Sequence, residues 1–324
     1  MQTGVYILSG YLGSGKTTLL QKVLGFFHER NRKAIVIMNE IGEEDIDGVQ
    51  VQAQGYSVKK ILNGCICCSI RNQLASGINE MIREFSPDEI IIETTGIADP
   101  SDIIADLVNN PTVCEQIELK GVITIVDASR FLALQSRFEL SKALEITFRN
   151  QIKYADLLLV NKVDLVREPE LEKIRNLIEK DNPEAVLYTT IHGEMDLSQL
   201  LNMRKAKNVK LQPKVTDDFS LTDKLFNYVE TFYYQFNQPV VKSKFESFLL
   251  HLPKTVYRAK GFVCFTDYSK LVSFQQTENQ IDYSVCEDLD MNMVAVFIGE
   301  GMDKRSIVSE LEKCKEEKNA FHLN

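Results

Sequence analysis

The chain has 324 residues, 44% of them hydrophobic, and a formal net charge of −9. This length and apolar content allow one large hydrophobic core and a smaller one, so we expect two domains. The negative charge and the lack of a basic run argue against a protein that binds nucleic acid or an anionic membrane surface. The sequence shows no secretory signal at its start and no apolar stretch near the ~18 residues that span a bilayer, so we expect a soluble, cytoplasmic protein.

From Val5 to about residue 203, short Val/Ile/Leu runs alternate with longer amphipathic stretches. This alternation is typical of a parallel sheet with helices on both faces. Strands are predicted near Val5–Ser9, Ala34–Met38, Val58–Leu62, Glu89–Glu93, Gly121–Val126, Leu157–Asn161 and Ala185–Tyr188. Helices are predicted between them, for example at Lys16–His28, Ser69–Phe85 and Glu168–Asp181, where apolar residues recur at helical spacing.

The pattern changes after a polar stretch that follows residue 203. Tyr228–Phe236 alternates like a strand, Lys242–Leu252 reads as a helix, and strand-like runs precede a closing helix around Lys304–Lys318. We therefore predict an α/β domain over 1–203, a linker over 204–223 and a smaller α+β domain over 224–324.

A phosphate-binding loop is predicted between the first strand and the first helix, where Gly10–Thr17 fits the pattern G-x-x-x-x-G-K-T. Glycines let the backbone N–H groups face phosphates, and the helix N-terminus adds positive potential. Lys16 is predicted to reach the β- and γ-phosphates and the Thr17 hydroxyl to bind Mg²⁺. The predicted nucleotide-binding residues of this loop are Gly10, Gly13, Ser14, Gly15, Lys16, Thr17 and Thr18.

A second magnesium ligand is predicted at the end of the strand that closes with Glu93, since ligand-binding residues of parallel sheets lie at the carboxyl ends of strands. Glu93 stands where an Asp is more usual, and Gly96 can approach the γ-phosphate through its backbone. We therefore assign Glu93 and Gly96, with Lys16 and Thr17, to the catalytic group.

Asn161, Lys162 and Asp164 follow another apolar strand and form the pattern N-K-x-D. An Asp carboxylate in this place can accept hydrogen bonds from guanine N1–H and the exocyclic amine, a pair that adenine does not present. Together with the upstream phosphate-binding loop, the pattern favours GTP over ATP.

Three cysteines, Cys65, Cys67 and Cys68, lie in a predicted strand-to-helix turn. A helix N-terminus lowers the pKa of thiols and favours the thiolates that bind metals, and three sulfurs suit Zn²⁺, Co²⁺ or Cu⁺. The alternatives are a closed structural zinc site with a distant fourth ligand, a redox pair or sensor, and simple buried thiols. The remaining cysteines are scattered singly and are expected to be ordinary buried residues: Cys114, Cys264, Cys286 and Cys314.

The acidic segment over 39–48 lies between the first helix and the cysteines, in the position of a switch loop that orders around Mg²⁺ and the γ-phosphate. Glu40 and Asp47 are predicted to contact the nucleotide magnesium or to lend an oxygen to the thiol-bound metal. A solvated acidic loop is the alternative.

In these motifs, the chain resembles the CobW-like GTPases, which are related to the accessory GTPases that deliver nickel to urease and hydrogenase. The resemblance rests on the segments at 10–18, 39–48, 63–68, 93–96 and 161–164, and in the second half on 258–261 and 297–299. The chain departs from many relatives in having four dispersed histidines instead of a histidine-rich tract, and no Trp after residue 261. The resemblance implies a metal chaperone that uses GTP binding and hydrolysis to hold and release a metal, commonly zinc or cobalt.

The leading hypothesis is a GTPase in which Mg²⁺·GTP completes a metal site at the cysteines and hydrolysis passes the ion to a client metalloprotein. A regulatory or redox-sensing module and a small-molecule kinase are the alternatives. Slow intrinsic hydrolysis is expected, because no glutamine or arginine stands in the catalytic positions that signalling GTPases use. Arg258 and Lys260 are assigned either to a surface that meets the client or the other domain or to a structural salt bridge, and the oligomeric state stays open, a homodimer included.

Overall fold

The structure is a computed structural model that describes residues 2–40, 58–62, 69–137, 142–203, 229–277, 280–286 and 292–315. These residues belong to two compact units, one ending at 203 and one beginning at 229 in the described ranges. The predicted linker over 204–223 lies outside the described residues, so the predicted domain limits stay predictions.

The first unit is built on a seven-stranded sheet in which every strand pairing is parallel. Its strands are β1 Thr3–Ser9, β2 Ala34–Glu40, β3 Val58–Leu62, β4 Glu89–Glu93, β5 Ile117–Asp127, β6 Leu157–Asn161 and β7 Val186–Thr189. They lie in the order β3-β2-β4-β1-β5-β6-β7. The chain order therefore reverses at β1, and ligands of open α/β sheets bind at the carboxyl ends beside such a reversal.

Helices cover both faces of this sheet. They are α1 Lys16–Glu29, α2 Ser69–Phe85, α3 Pro100–Asn109, α4 Pro111–Cys114, α5 Ala128–Arg137, α6 Lys142–Lys153, α7 Glu168–Asp181 and α8 Ser198–Asn202. Because side chains alternate along a strand, Val5 and Ile7 pack in one core with α2 and α3, whereas Tyr6 and Leu8 pack in the other with α1. The predicted α/β fold with a mostly parallel sheet is confirmed.

Strand β5 begins at Ile117, four residues before the predicted start at Gly121. The pairing with β1 shifts register between Val5 and Tyr6, which face Leu119 and Gly121. One extra residue, Lys120, is thus accommodated, and Gly121 adopts a φ of 152° there. Such a bulge interrupts the alternation of apolar and polar side chains, which explains why the sequence pattern missed the first part of the strand.

In its described residues, the second unit is a five-stranded antiparallel sheet with two helices. Its elements are β8 Val229–Gln235, α9 Lys242–Leu250, β9 Val256–Phe265, β10 Tyr268–Thr277, β11 Gln280–Val285, β12 Val294–Glu300 and α10 Lys304–Lys313. The strand order is β11-β10-β9-β12-β8. Its core is rich in phenylalanine, with Phe245 of α9 packed edge-on against Phe274 of β10 at a centroid distance of 5.0 Å. The predicted α+β character of this unit is confirmed.

Helix α1 ends at Glu29, one residue after the predicted His28, and two helix ends of the second unit also differ from the prediction. Helix α9 stops at Leu250 instead of Leu252, because the following Pro253 disfavours helical conformation in the residue before it. Helix α10 ends at Lys313, and Lys315 already pairs with Val240 in an isolated bridge. None of the helices that the structure describes combines the length and apolar character that crossing a bilayer requires.

Candidate functional site

The predicted phosphate-binding loop lies between β1 and α1, at the carboxyl edge of the first sheet. Gly10, Gly13 and Gly15 all have positive φ, at 137°, 75° and 109°. A Cβ on Gly10 would lie 2.2 Å from the Ile125 carbonyl oxygen. Both the backbone conformation and the close approach therefore require glycine at this position.

Five consecutive carbonyls of this loop accept hydrogen bonds from side chains. Lys16 Nζ donates to Gly10 O at 2.7 Å and to Tyr11 O at 3.2 Å. The next three carbonyls each accept one hydrogen bond. Arg130 Nη1 donates to Leu12 O at 3.1 Å, Lys162 Nζ donates to Gly13 O at 3.0 Å, and Asn161 Nδ2 donates to Ser14 O at 3.0 Å. Three cationic side chains and one amide thus surround the carbonyl side of the loop.

This arrangement prepares the loop for an anion. The C=O and N–H of a trans peptide point in opposite directions, so the Gly13 and Gly15 N–H groups point away from the side chains that hold the Leu12 and Ser14 carbonyls. Ser14 Oγ is buried and has no hydrogen-bond partner among the described residues. A phosphate chain fits this cradle, because it supplies acceptors for backbone N–H groups, a hydroxyl and an ammonium together.

The second predicted motif lies beside this loop. Asn161 ends β6 in register with Asp127, the last residue of β5. Lys162 follows in the left-handed region, with φ 60°, and its ammonium reaches both Gly13 O at 3.0 Å and Asp127 Oδ2 at 2.7 Å. The neighbouring Asp127 oxygen Oδ1 accepts from Ser129 N and Oγ at the start of α5.

Asn161 connects three segments of the chain. Its Nδ2 donates to Ser14 O, whereas its Oδ1 accepts from Thr190 Oγ1 at 3.1 Å and from Gly193 N at 2.9 Å. The side chain is 2% exposed. Asn161 therefore holds the loop after β7 against the phosphate-binding loop. Asp164, the third predicted residue of the motif, is exposed in the 3₁₀ turn Val163–Leu165.

Glu93 and Gly96 lie on the other side of β1. Glu93 is buried at the end of β4, in register with Leu8, two residues before Gly10. A Cβ on Gly96 would come within 2.5 Å of Leu12 N, so the loop after β4 touches the phosphate-binding loop directly. Thr17 is half-buried in the first turn of α1. A hydroxyl and a carboxylate are the oxygen ligands that Mg²⁺ prefers, so these residues fit a nucleotide-bound magnesium ion.

The predicted transition-metal ligands are not described by the structure. Cys65, Cys67, Cys68 and Asp47 lie outside the described residues. Glu40 is the last residue of β2, but its side chain lies outside the described part. Within the described ranges, no three His, Cys, Asp or Glu side chains converge on a point that could hold a metal ion. The cysteine site thus stays a prediction.

Two further expectations concern residues outside this edge. The expectation that the scattered cysteines are buried is confirmed for Cys314 but wrong for Cys114, which is exposed at the end of α4, and Cys264 and Cys286 are only half-buried. Arg258 and Lys260 are both buried on β9, and Arg258 Nη2 donates to Gln275 Oε1 of β10 at 2.7 Å. This bond is consistent with the structural role that was one of the two assignments for Arg258.

Sequence reasoning missed three residues at this edge. Asp127 ends a buried strand, so the rule that selected Glu93 would have found it. Arg130 and Gln151 lie on helices, and Gln151 Nε2 donates to the carbonyls of Gly96 and Ala98. A single buried arginine or glutamine on a helix gives no signal in the sequence pattern, because its partners are backbone carbonyls distant along the chain.

Comparisons with known proteins agree with this geometry. The family model "CobW/HypB/UreG, nucleotide-binding domain" matches residues 4–189, and that of the "Cobalamin synthesis protein cobW C-terminal domain" matches residues 229–315. Zinc chaperone YjiA of Escherichia coli is 34% identical over 203 residues, which cover 61% of this chain and 60% of that protein. Zinc-regulated GTPase metalloprotein activator 1 of Schizosaccharomyces pombe is 31% identical over 211 residues, which cover 61% of this chain and 48% of that protein.

Among solved structures, that of Zn(II)-bound YjiA GTPase from E. coli aligns over 98% of this chain and all of its own, with 24% identity and a TM-score of 0.47. This score is low, so the assignment of the family rests on the family models and on the loop geometry. The first family model alone covers more than half of the sequence, including the loops of the described edge. The chain belongs to the CobW/HypB/UreG family of nucleotide-binding proteins and carries the CobW C-terminal domain.

Proposed function

We propose that this protein is a GTP-dependent metallochaperone, which binds a divalent transition metal at Cys65, Cys67 and Cys68 and releases it to a client metalloprotein on GTP hydrolysis. Zinc and cobalt are the proposed metals. The names of the relatives, a zinc chaperone and a zinc-regulated GTPase metalloprotein activator, support zinc in particular. The aligned regions span only about half to three fifths of the length of these relatives. The proposal of a metal and a client for this chain therefore rests on its own cysteine motif as well as on the names of the relatives.

One observation carries the nucleotide part of the proposal: the residues of the N-K-x-D motif are hydrogen-bonded to the phosphate-binding loop itself. Lys162 donates to Gly13 O and Asn161 donates to Ser14 O. The base-reading Asp164 therefore extends from the same bonded unit that would hold the phosphates. A guanine nucleotide is the ligand whose base and phosphates match both parts.

For hydrolysis, we assign the chain's residues as follows. Lys16 and the loop N–H groups neutralise charge on the β- and γ-phosphates, and the Gly96 N–H meets the γ-phosphate. Thr17 and Glu93 would hold Mg²⁺, which supplies further charge neutralisation at the phosphate oxygens. A water oxygen forms the new bond to the γ-phosphorus as the bond to the bridging oxygen breaks, which gives GDP, inorganic phosphate and a proton. We propose a slow intrinsic rate, accelerated by metal or client.

The metal part rests on coupling between two ligands. The cysteine motif directly precedes α2 and follows β3, whose neighbour β2 runs beside β4 and its Glu93. GTP and metal are proposed to favour the same state of the protein, typically by ~1–3 kcal/mol, and this coupling must be reciprocal. GTP should then raise metal affinity about 5-fold to 150-fold, and the metal should raise GTP affinity by the same factor.

The test is a titration of Zn²⁺ and of Co²⁺ into reduced protein against a competing chelator. It is made without nucleotide, with GDP, and with a non-hydrolysable GTP analogue, each in the presence of Mg²⁺. The cysteine variant Cys65→Ser/Cys67→Ser/Cys68→Ser removes the proposed ligands. Cys114→Ser is the matched control, because its thiol is exposed at the end of α4 and is not part of the motif. We expect the metal to bind more tightly with the GTP analogue than with GDP or without nucleotide, by the factor given above. This gain should be lost in the triple variant and kept in the control.

Other outcomes point to other functions. Equal affinity in all nucleotide states would contradict the chaperone cycle and favour a closed structural zinc site. Reversible disulfide formation among the three cysteines without tight metal binding would favour a redox sensor. Transfer of the γ-phosphate to a molecule other than water would favour a small-molecule kinase.

A further inference from the structure

Helices α5 and α6 form a pair that touches both loops of the proposed phosphate site. Phe131 of α5 and Phe148 of α6 join the two helices, with ring centroids 5.4 Å apart. Phe148 also meets the ring of Tyr11 edge-on, at 6.2 Å, and Arg130 of α5 donates to Leu12 O. The pair therefore holds the phosphate-binding loop at two successive residues.

The same pair holds the loop after β4 through two successive residues of α6. Gln151 Nε2 donates to Gly96 O and to Ala98 O, both at 3.1 Å. Asn150 Nδ2 donates at 2.6 Å to Asp99 Oδ2, while the other oxygen of Asp99 caps α3. Three hydrogen bonds thus fix the loop over 96–99 to α6.

Gln151 is placed to hold this loop without reaching a ligand. Its side chain is 1% exposed, and its own carbonyl accepts from Thr124 Oγ1 of β5 at 2.8 Å. Both the amide and the backbone are therefore fixed. The Gly96 carbonyl that Gln151 holds lies one peptide away from the N–H that is proposed to meet the γ-phosphate, and Gly96 itself packs on Leu12.

We propose that Gln151 is a positioning residue of the nucleotide cycle, which holds the turn over 95–98 in the geometry that meets the γ-phosphate. Arg130 holds the facing Leu12 peptide from the same helix pair. The inference rests on the proposed GTP-dependent function. It means that α6, through Gln151, supports the loop that distinguishes GTP from GDP. GDP lacks the γ-phosphate, so the loss of Gln151 should weaken binding of a GTP analogue more than binding of GDP.

The test compares Gln151→Met, which keeps the side-chain length and removes both donors, with Asn182→Leu. Asn182 is a matched control because its buried Nδ2 donates to three backbone carbonyls at the end of α6 and just after it, Ile152, Lys153 and Ala155, away from the loop. Kd values for GDP and for a non-hydrolysable GTP analogue are measured with Mg²⁺ for both variants and the wild type. We expect Gln151→Met to weaken the analogue about tenfold and GDP less than twofold, as loss of hydrogen bonds to buried carbonyls predicts.

Asn182→Leu should lower thermal stability but change both Kd values by less than twofold. If Gln151→Met weakens both nucleotides equally, or neither, Gln151 has only a structural role and the inference is overturned. If the wild type binds neither nucleotide, the proposed function fails and the inference falls with it. These two failures are distinguished by the wild-type measurement alone.

A milder variant covers the case in which Gln151→Met does not fold. Asn150→Ala removes one bond to the same loop from a half-buried position, and a selective loss of about threefold for the GTP analogue is expected. An unchanged ratio of the two Kd values in that variant would overturn the inference. Amide hydrogen exchange gives a readout without nucleotide: the Ala98 N–H, which donates to Thr95 O, should exchange faster in Asn150→Ala and Gln151→Met but not in Asn182→Leu.

Discussion

The two sheets of this molecule bury their polar residues in different places. In the first unit, most buried polar side chains of the strands lie at the carboxyl edge, where they end four strands and begin the loop after a fifth; they are Ser9, Glu93, Asp127, Asn161 and Thr190. Thr3 and Glu89 at strand starts and Thr124 inside β5 are the exceptions. In the second unit, buried polar side chains lie inside β9 and β10; they are Arg258, Lys260, Ser273 and Gln276. The first arrangement brings polar groups from separate strands to one edge, whereas the second spreads them within the sheet.

This difference shows how each unit uses its sheet. At the carboxyl edge of parallel strands, loops converge, so buried polar groups can act together on one ligand. Inside an antiparallel sheet, a polar group such as Arg258 finds its partner on the neighbouring strand, at Gln275. The stability of the second unit then comes from its aromatic core. Ligand binding should therefore depend on the first edge, and folding of the second unit on its phenylalanines.

The largest expected effect is on the stability of the second unit. Phe245 is fully buried and its ring contacts Phe236, Phe248, Phe265 and Phe274. Phe245→Ala should destabilise this unit by about 3–5 kcal/mol, through lost burial and a residual cavity. Chemical denaturation followed by circular dichroism measures the loss. We expect nucleotide affinity to change less than twofold under native conditions.

Leu250→Ala on the same helix is the control for that variant, since Leu250 is 45% exposed and its truncation should cost little. A large loss of nucleotide affinity in Phe245→Ala under native conditions, with the affinity of Leu250→Ala unchanged, would show that the division of roles between the two sheets is wrong.

The next effect concerns the phosphate-binding loop. Lys16→Ala should weaken GTP and GDP about a hundredfold or more, because charge-assisted contacts to phosphates are lost. Lys22→Ala is the control on the same helix, since its ammonium pairs with Glu194 at 3.5 Å near the surface. Isothermal titration calorimetry on the three proteins measures the effect. Equal nucleotide affinity of Lys16→Ala and Lys22→Ala would show that this loop does not bind the phosphates.

A smaller effect is expected at Asp127, which connects the two motifs. Asp127→Asn keeps the side-chain shape but removes the charge that holds Lys162, so GTP and GDP should both bind about tenfold more weakly. Asp196→Asn is the control, because Asp196 Oδ1 accepts from Ser198 N at the start of α8, as Asp127 Oδ1 accepts from Ser129 N at the start of α5. A selective loss for one nucleotide would contradict this role, since Lys162 is assigned to the shared part of the ligand.

The smallest effect separates two cysteines outside the motif. Burial raises the pKa of the Cys314 thiol to about 11, with the nearby Glu310 adding to the rise. At pH 8 only about one Cys314 in a thousand would be thiolate, so alkylation should be slow, and it should accelerate as the pH approaches 11. Cys114 is exposed and should be alkylated before Cys314, and peptide mass mapping over time measures the two rates. Faster labelling of Cys314 than of Cys114 in the native protein would contradict the burial of this core residue.

Much of the fold could be predicted because most strands of the first unit contain a short apolar run. β3, β4 and β6 begin and end at the predicted residues. The start of β5 was missed because the bulge at Lys120 and Gly121 breaks the alternation on which the prediction depends. Helix ends near Leu250 and Lys313 depend on local capping, which a periodic pattern does not encode.

The candidate site was predictable where a motif names atoms that face a ligand, as for Gly10 and Lys16. It was not predictable where a side chain supports another part of the protein. Arg130 and Gln151 act on carbonyls more than fifty residues away along the chain, and such pairs appear only once the strands are in order. Asn161 is the intermediate case, because its motif was recognised but its support of Ser14 and Gly193 was not.

The bonds from Lys162 to Gly13 and from Asn161 to Ser14 have a consequence for small molecules that occupy half of the site. A guanosine-like fragment and a tripolyphosphate-like fragment would each order the same bonded unit, so the second fragment to bind would meet a surface already fixed by the first. Linked inhibitors should then gain more affinity than the two separate fragments predict. Compounds that carry only the guanine-like half would still change the affinity of the phosphate-binding loop for phosphates. A ligand of the base pocket alone should therefore alter GTP binding and hydrolysis.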